Sequence, residues 1–271
     1  MKDIVENRSH IGLGTKLRLA RLAVQENGLL WTLQMGTYYL ASGLAESVYS
    51  AAASRRTAKN LPGVNSARMN KLIWDSWDWN AKGEEWSISP EWKDSVIRTL
   101  LRPNVPEQGD VVEIGPGGGR WTEELIARCR KVTAIDISET CVRECRERFK
   151  GAANAEFIVG SGSDLAPLAA ESVDAVWSFD VFVHINKPEF RNYAREFARV
   201  LRPGGKGVLQ HGAVGGEKGG WRSDVTTSDV ARFLTEAGLE VESQITDWHD
   251  GGMEFKSGLY GDVVTTFRKP K

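Results

Sequence analysis

One acid and three glycines occupy alternate positions of a short segment, and an aspartate follows further along the chain: Glu113, Gly115, Gly117, Gly119 and Asp136. Glycine lets the backbone turn sharply and lets a ligand lie directly against the main chain. An apolar run at residues 111–114 precedes the glycines, and a helical pattern with early acids and late bases follows them. A second apolar run ends at Asp136. This order predicts half of a nucleotide-binding α/β unit, in which a helix N-terminus faces the ligand.

The segment does not match the dinucleotide fingerprint G-x-G-x-x-G/A, because the last position, counted from Gly115, falls on Arg120. It instead resembles motif I of the class I S-adenosylmethionine (SAM) methyltransferases. In that family the glycine loop lies along the methionine part of SAM, and an acid after the second strand holds the ribose hydroxyls. The resemblance implies that Glu113 and the glycine loop form the SAM site and that Asp136 contacts the ribose. A carboxylate can accept both hydrogen bonds of a vicinal diol.

The adenine contact is less clearly marked. A third strand is predicted at residues 157–159, and a polar loop follows it. In the family this loop begins with an acid that meets the adenine amino group, but Ser161 stands at that position here. Ser161, Ser163 and Asp164 are therefore alternative adenine contacts, and Asp164 is equally well explained as a turn or cap residue.

Two histidines are candidates for a general base. The predicted fourth strand, residues 173–180, resembles a family motif and implies cofactor contacts at Phe179 and Asp180. His184 lies four residues after Asp180, so one helical turn would let that aspartate orient it. His211 follows the predicted fifth strand, beside a glycine-rich loop at residues 212–220. Either histidine could accept a proton from an acceptor, and His184 could instead only pack near the cofactor.

Half of the ten tryptophans are concentrated in residues 74–92: Trp74, Trp77, Trp79, Trp86 and Trp92. Packing between the N-terminal helices and the main domain explains most of them. An alternative is an aromatic lid over the SAM sulfonium, because aromatic faces attract cations. Trp86, and after it Trp79, are the expected lid residues.

The predicted fold class is α/β, a doubly wound, mostly parallel seven-stranded sheet with a Rossmann-like methyltransferase fold and an N-terminal helical extension. The resemblance implies that strands at residues 239–243 and 261–267 complete the sheet, the last one antiparallel. The expected domains are residues 1–70, a helical extension, and residues 71–271, the SAM-binding domain. The extension is expected to pack on the catalytic domain or on a second subunit in a homo-oligomer.

Residues 29–53 are long enough to cross a membrane and carry a single charge, Glu46. Gln34, Glu46 and several serines and threonines interrupt the apolar run, so no stable membrane span is expected. The formal net charge of −1 and the absence of a basic stripe argue against a nucleic-acid partner. Three cysteines without metal-ligand spacing favour a reducing compartment and predict a cytoplasmic protein.

The sequence thus predicts a SAM-dependent methyltransferase that methylates a small molecule by in-line displacement. Metal assistance is not expected, because no cluster of histidines and cysteines or paired acids follows the strands. The family's asparagine-proline-proline-aromatic motif is absent after the fourth strand, so an oxygen acceptor is slightly favoured over nitrogen or carbon. The alternatives are a non-catalytic SAM-binding or regulatory protein, a membrane-anchored methyltransferase, and a NAD(P) oxidoreductase disfavoured by Arg120.

Overall fold

The structure, a computed structural model, describes residues 13–59, 61, 63–215, 221–258 and 260–271. The chain divides into two compact units, Met1–Leu61 and Pro62–Lys271. The first unit contains helices α1 (Leu13–Asn27) and α2 (Leu29–Ala58), and α2 has no buried residue. Gly28 separates the two helices, because its φ of 84° is incompatible with a continuous α-helix. Glycine adopts this left-handed conformation more readily than other residues. Among the described residues, no helix has both the length and the apolar character that crossing a bilayer requires.

The second unit is built on a seven-stranded sheet with the order β3-β2-β1-β4-β5-β9-β6. These strands, with a separate two-stranded hairpin formed by β7 and β8, are β1 (Asp110–Ile114), β2 (Lys131–Asp136), β3 (Ala155–Val159), β4 (Val173–Phe182), β5 (Leu201–His211), β6 (Glu240–Ile245), β7 (Asp247–Asp250), β8 (Met253–Lys256) and β9 (Val263–Arg268). Strands β3, β2, β1, β4 and β5 pair in parallel, whereas β9 runs antiparallel to β5 and β6. The predicted fold class is therefore confirmed.

Helices cover both faces of this sheet. They are α3 (Ala67–Ser76), α4 (Pro90–Val96), α5 (Arg102–Asn104), α6 (Thr122–Arg128), α7 (Glu139–Arg148), α8 (Lys187–Val200) and α9 (Thr227–Glu236). A single π turn, Ile97–Leu101, joins α4 to α5. Ser89 and Ser138 cap α4 and α7, each accepting a backbone N–H bond of 3.1 Å. Thr226 caps α9, where Thr226 and Asp229 form a reciprocal capping box.

Two apolar layers hold the sheet between the helices. Successive side chains of β4 point to opposite faces of the sheet. Val176 and Phe182 therefore pack in the layer under α8 and α9, and Ala175 and Trp177 pack in the layer under α4 and α6. Each large apolar side chain that is fully buried in this way contributes about 1.5–3 kcal/mol to stability. The carboxyl ends of β1, β2 and β4 are thereby fixed at one edge of the sheet, where the helices leave a crevice.

Helix α3 lies against α7 within the second unit. The Asp75 carboxylate accepts a hydrogen bond of 2.7 Å from the Ser138 hydroxyl, and Lys71 forms an ion pair of 3.1 Å with Glu139. The Asn70 amide donates to the backbone carbonyl of His184 at 3.1 Å. Asn70 thus contacts the end of β4 through His184, while the division of the chain after residue 70 stays a prediction of the sequence.

Candidate active site

A cavity of about 470 Å³ opens at the carboxyl edge of the sheet, between β1 and β4. This is the point at which the strand order reverses direction, where open α/β sheets bind their ligands. Its wall is formed by the ends of β1, β2 and β4, by α3 and the segment 79–86, by residues 221–222, and by Gly258, Tyr260 and Asp262. One cavity therefore borders both the glycine loop and the tryptophan-rich segment.

Gly115 and Gly117 of the glycine loop line the cavity wall. Gly115 and Gly117 have φ of 68° and 56°, which favour glycine. A Cβ on Gly115 would stand 2.3 Å from a methyl of Val181, and one on Gly117 would stand 2.8 Å from the Trp79 ring. Gly119, with φ of 88°, is not part of the wall, and its α-carbon faces the Phe149 ring. Two of the three predicted glycines thus border the cavity, and the third packs the loop onto α7.

Asp136 ends β2 with its carboxylate at the cavity. The backbone N–H groups of Gly117 and Ser138 donate to its two oxygens, at 3.2 Å and 2.8 Å. Burial raises the pKa of Asp136 to about 6, although these two hydrogen bonds act in the opposite direction. A carboxylate oxygen accepts more than one hydrogen bond, so the group can also receive a ligand hydroxyl.

Glu113 lies behind the loop rather than on the cavity wall. It is 1% exposed, and the Thr122 hydroxyl donates to its Oε2 at 2.7 Å, while Oε1 has no partner. Burial raises its pKa to about 7, and the nearby negative charge of Asp136 acts in the same direction. Glu113 therefore supports the start of α6 from below and does not face a ligand in the cavity.

The three alternative adenine contacts bond to one another. The N–H groups of Ser163 and Asp164 donate to Ser161 Oγ at 3.1 Å and 3.2 Å, and that hydroxyl donates to an Asp164 oxygen at 2.7 Å. Gly162, in the middle of this turn, borders the cavity, whereas the three polar side chains are not part of its wall. The turn therefore lies at the site, but none of its three polar side chains is singled out as the partner of adenine.

His184 borders the cavity, but the predicted helical turn around it does not form. Strand β4 continues to Phe182, and the Asp180 carboxylate pairs with Arg120 instead of orienting the histidine. His184 Nδ1 lies 2.9 Å from the Trp221 carbonyl oxygen. A carbonyl only accepts, so Nδ1 carries the proton and Nε2 holds a lone pair. Burial lowers the pKa of His184, which keeps the ring neutral.

His211 does not reach the cavity, which corrects its prediction as a second base. It is 0% exposed, and its ring nitrogens lie 2.7 Å from the Gly212 carbonyl and 2.7 Å from the Thr265 hydroxyl. Burial lowers its pKa to about 4. The ring connects β5 to β9 inside the sheet. Of the glycine-rich loop predicted beside it, residues 216–220 lie outside the described part of the chain.

Aromatic rings close one side of the cavity. Trp74 lies at the centre of this cluster, with ring centroids 5.4–6.0 Å from those of Trp77, Trp79, Trp86, His184 and Trp221. Trp79 and Trp86, the expected lid residues, both border the cavity. Trp92 also reaches the wall but belongs to the apolar layer under α4, beside Trp121 and Phe179. Phe179, predicted as a cofactor contact, lies at the end of β4 on the same wall.

The cavity wall contains two arginine–aspartate pairs that the sequence did not predict as pairs, Arg120 with Asp180 and Arg222 with Asp262. Gln210 joins them, because its Oε1 accepts from the Asp180 backbone N–H at 2.8 Å and its Nε2 donates to Asp262 at 3.1 Å. The partners are 60 and 40 residues apart in sequence. Asp180 was predicted as a cofactor contact and Arg120 was noted as a mismatch to the dinucleotide fingerprint, whereas no local pattern marked Arg222 or Asp262.

A family model described as a methyltransferase domain matches residues 111–205. This span covers the glycine loop, Asp136, His184 and the parallel strands up to the first part of β5. Over this span the chain is similar to class I SAM-dependent methyltransferases. The cofactor of that family is SAM, and the site fits it: Gly115, Gly117 and Asp136 line one cavity, with the Asp136 carboxylate beside the glycine loop.

Named methyltransferases are similar to part of the chain. An uncharacterised methyltransferase of Schizosaccharomyces pombe is 30% identical over 51% of this chain and 52% of its own length. A ubiquinone biosynthesis O-methyltransferase of Xanthomonas axonopodis is 29% identical over 51% of this chain and 65% of its own length. The chain thus spans roughly half to two thirds of the length of these methyltransferases.

Solved structures share the fold. A SAM-dependent methyltransferase of Leishmania major superposes with a TM-score of 0.62, at 13% identity, over 79% of this chain and 89% of that one. A methyltransferase from Haloferax volcanii, determined in complex with the activator Trm112, gives a TM-score of 0.56 at 20% identity, over 73% and 98%. These similarities establish a methyltransferase fold for the sheet-bearing unit.

Proposed function

We propose that this protein transfers the methyl group of SAM to a small-molecule acceptor, with an oxygen as the attacking atom. The observation that carries the proposal is the continuity of one cavity, which runs from the glycine loop and Asp136 to His184 and the tryptophans. Its volume, about 470 Å³, is within the range typical of small-molecule sites. Cofactor and acceptor can therefore lie side by side with water excluded.

In this proposal each residue of the site has a separate role. SAM, when bound, supplies a sulfonium-activated methyl group, so the protein mainly positions the reactants. Gly115 and Gly117 offer their backbone to the methionine part, Asp136 accepts from the ribose, and Trp86 and Phe179 cover the cofactor. His184, neutral and with its Nδ1 proton held by the Trp221 carbonyl, takes the acceptor proton at Nε2.

The preference for oxygen has two supports. A neutral histidine base is useful for a hydroxyl acceptor, which must lose a proton during transfer. The Xanthomonas relative is named an O-methyltransferase, and the similarity includes about half of this chain. The proposal includes the assignment of residues 1–70 to an extension and of residues 71–271 to the SAM-binding domain. Independence from a metal, self-association through the extension and a cytoplasmic location stay predictions.

The test is transfer of a labelled methyl group from SAM to panels of phenols, alcohols, amines and carbon acids. We expect label in a hydroxyl compound, and transfer to amines or carbon acids alone would contradict the oxygen preference. Replacing His184→Gln should lower turnover about 10²–10⁴-fold while the affinity for S-adenosylhomocysteine is unchanged. His249→Gln, at an exposed position of β7, is the matched control and should keep wild-type turnover.

A non-catalytic SAM-binding protein is the alternative that this experiment separates. That alternative predicts normal binding of S-adenosylhomocysteine without methyl transfer to any acceptor class. Equal turnover of the His184→Gln variant and the wild type would leave the methyltransferase proposal standing but would remove the histidine base from it.

A further inference from the structure

Helix α3 presents one face to the cavity. Ala67, Asn70 and Trp74, which are spaced three and four residues apart, all border it. Residues at this spacing lie on the same side of a helix. The helix lies outside residues 111–205, the span that the methyltransferase model matches. Its side chains can therefore differ between proteins that share this fold, as the molecules they act on do.

Asn70 has a fixed amide orientation and an unused acceptor. The residue is 8% exposed, and its Nδ2 donates to the backbone carbonyls of His184 at 3.1 Å and of Asn65 at 3.4 Å. Carbonyl oxygens only accept, so these two bonds identify Nδ2 as the nitrogen and leave Oδ1 as the acceptor. Among the described residues, Oδ1 has no hydrogen-bond partner. A buried acceptor is normally satisfied, so an unpaired one on a residue of the cavity wall indicates a ligand donor.

The unpaired oxygen belongs to the same part of the wall as the proposed base. The Asn70 amide is bonded directly to the backbone of His184, and the Trp221 carbonyl accepts the Nδ1 proton of that histidine. The glycine loop and Asp136 come from other elements, at the ends of β1 and β2. A ligand whose hydroxyl reaches His184 Nε2 therefore has the Asn70 amide beside it.

Aromatic rings surround this part of the wall. Trp74, one turn after Asn70 on α3, has its ring centroid 5.4 Å from that of His184, and the Trp221 centroid lies 4.9 Å from the same ring. Trp221 borders the cavity and is 37% exposed. Aromatic rings pack favourably against one another, so this wall suits a planar ligand.

We infer that Asn70 is an acceptor-binding residue, whose Oδ1 accepts a hydrogen bond from a second hydroxyl or N–H group of a planar acceptor, beside the hydroxyl that faces His184. This inference rests on the proposed function and names the class of acceptor. A compound with a single hydroxyl leaves the buried oxygen unpaired and is a poorer acceptor for that reason. The acceptor is therefore recognised by two polar groups on one flat skeleton.

The test compares planar probes that bind the protein in the presence of S-adenosylhomocysteine. The ortho and meta isomers of dihydroxybenzene carry a second donor, the matching methoxyphenols have the same skeleton without it, and phenol lacks the second group altogether. We expect calorimetry to show that the better dihydroxybenzene binds the wild type about tenfold more tightly than phenol or its methoxy counterpart, the size of one hydrogen bond to a buried group. With SAM, the kcat/KM values for labelled methyl transfer should show the same preference.

Two variants separate the acceptor oxygen of Asn70 from its structural bonds. Asn70→Leu should reduce the preference to about twofold or less while the affinity for S-adenosylhomocysteine is retained. Asn70→Asp keeps an acceptor oxygen in either protonation state and should keep the preference. Asn154→Leu is the control, because Asn154 also donates to two backbone carbonyls, at 2.9 Å each, but does not border the cavity; it should keep the wild-type ratios.

Equal weakening of all probes by Asn70→Leu would overturn the inference, because it would show that Asn70 only holds the backbone of His184. A wild type that binds phenol as tightly as both dihydroxybenzenes, or that binds none of the probes, would overturn it as well. If Asn70→Leu does not fold, the wild-type ratios and Asn70→Asp decide, since loss of the preference in Asn70→Asp contradicts the inference. An intact binding preference without methyl transfer from SAM would refute the proposed function and leave the Asn70 contact standing, whereas methyl transfer without a preference would do the reverse.

Discussion

The Glu113→Gln variant should be more stable than the wild type at alkaline pH. The carboxyl group is buried behind the glycine loop, with its pKa raised from 4.5 to about 7 by loss of hydration. Glutamine has the shape of the protonated acid, can accept the Thr122 hydroxyl bond, and does not ionise. The substitution therefore removes a buried negative charge and keeps the packing.

The sign and size of the effect follow from proton linkage. Below pH 4.5 the acid is protonated in both the folded and the unfolded chain, and its contribution to stability is fully present. As the pH rises through the folded pKa of about 7, the unfolded chain has already lost its proton, so this contribution declines. A rise of about 2.5 pKa units corresponds to about 3 kcal/mol, lost between pH 4.5 and 7.

The assay is urea unfolding of both proteins at several values between about pH 5 and pH 8.5. The free energy of unfolding of the variant, minus that of the wild type, should increase by about 2–3 kcal/mol over this interval. Glu147→Gln is the control, since its carboxylate pairs with Lys150 on the surface, and it should keep the wild-type slope. Parallel pH profiles for Glu113→Gln and the wild type would refute the argument that burial of this acid is costly.

Three further variants test the site. Gly117→Ala places a Cβ 2.8 Å from the Trp79 ring at a left-handed backbone position. Calorimetry should therefore show that S-adenosylhomocysteine binds at least about tenfold more weakly to this variant than to the wild type. Unchanged affinity would mean that the ligand does not contact the loop. Asp136→Ala should weaken the same ligand by about 1–3 kcal/mol, and equal affinity would remove the ribose assignment. His211→Ala should lower the melting temperature, because the buried Gly212 carbonyl and Thr265 hydroxyl lose their hydrogen bonds. The pH profile of turnover should stay that of the wild type. A shifted profile would restore His211 as a candidate base.

The sequence predicted the parts of the site that depend on local pattern. The glycines and Asp136 were found because a buried strand, a tight loop and a helix leave periodic signals within about 25 residues. The parallel strands were found for the same reason, since each is a short apolar run bounded by turn residues. The lid tryptophans were found from their density alone, and both border the cavity.

The remaining features depend on pairings between distant segments. Gln210 links Asp180 to Asp262 because β4, β5 and the segment before β9 are neighbours in space, which no local pattern reveals. The position of His211 at a strand end suggested exposure, but the antiparallel β9 covers it with Thr265. His184 was expected on a helical turn, whereas β4 extends further and the left-handed backbone of Asp180 redirects the chain.

The tryptophans of the cavity wall give the molecule its own optical reporter. Six of the ten tryptophans border the cavity, at positions 74, 79, 86, 92, 121 and 221, so a ligand that enters changes the polarity around most of the indole rings at once. Trp121 lies against Arg120, next to the glycine loop, whereas the Trp221 ring packs against the ring of His184. Emission from single-tryptophan replacements at these two positions would therefore distinguish, without labels, the arrival of a cofactor from the arrival of an acceptor.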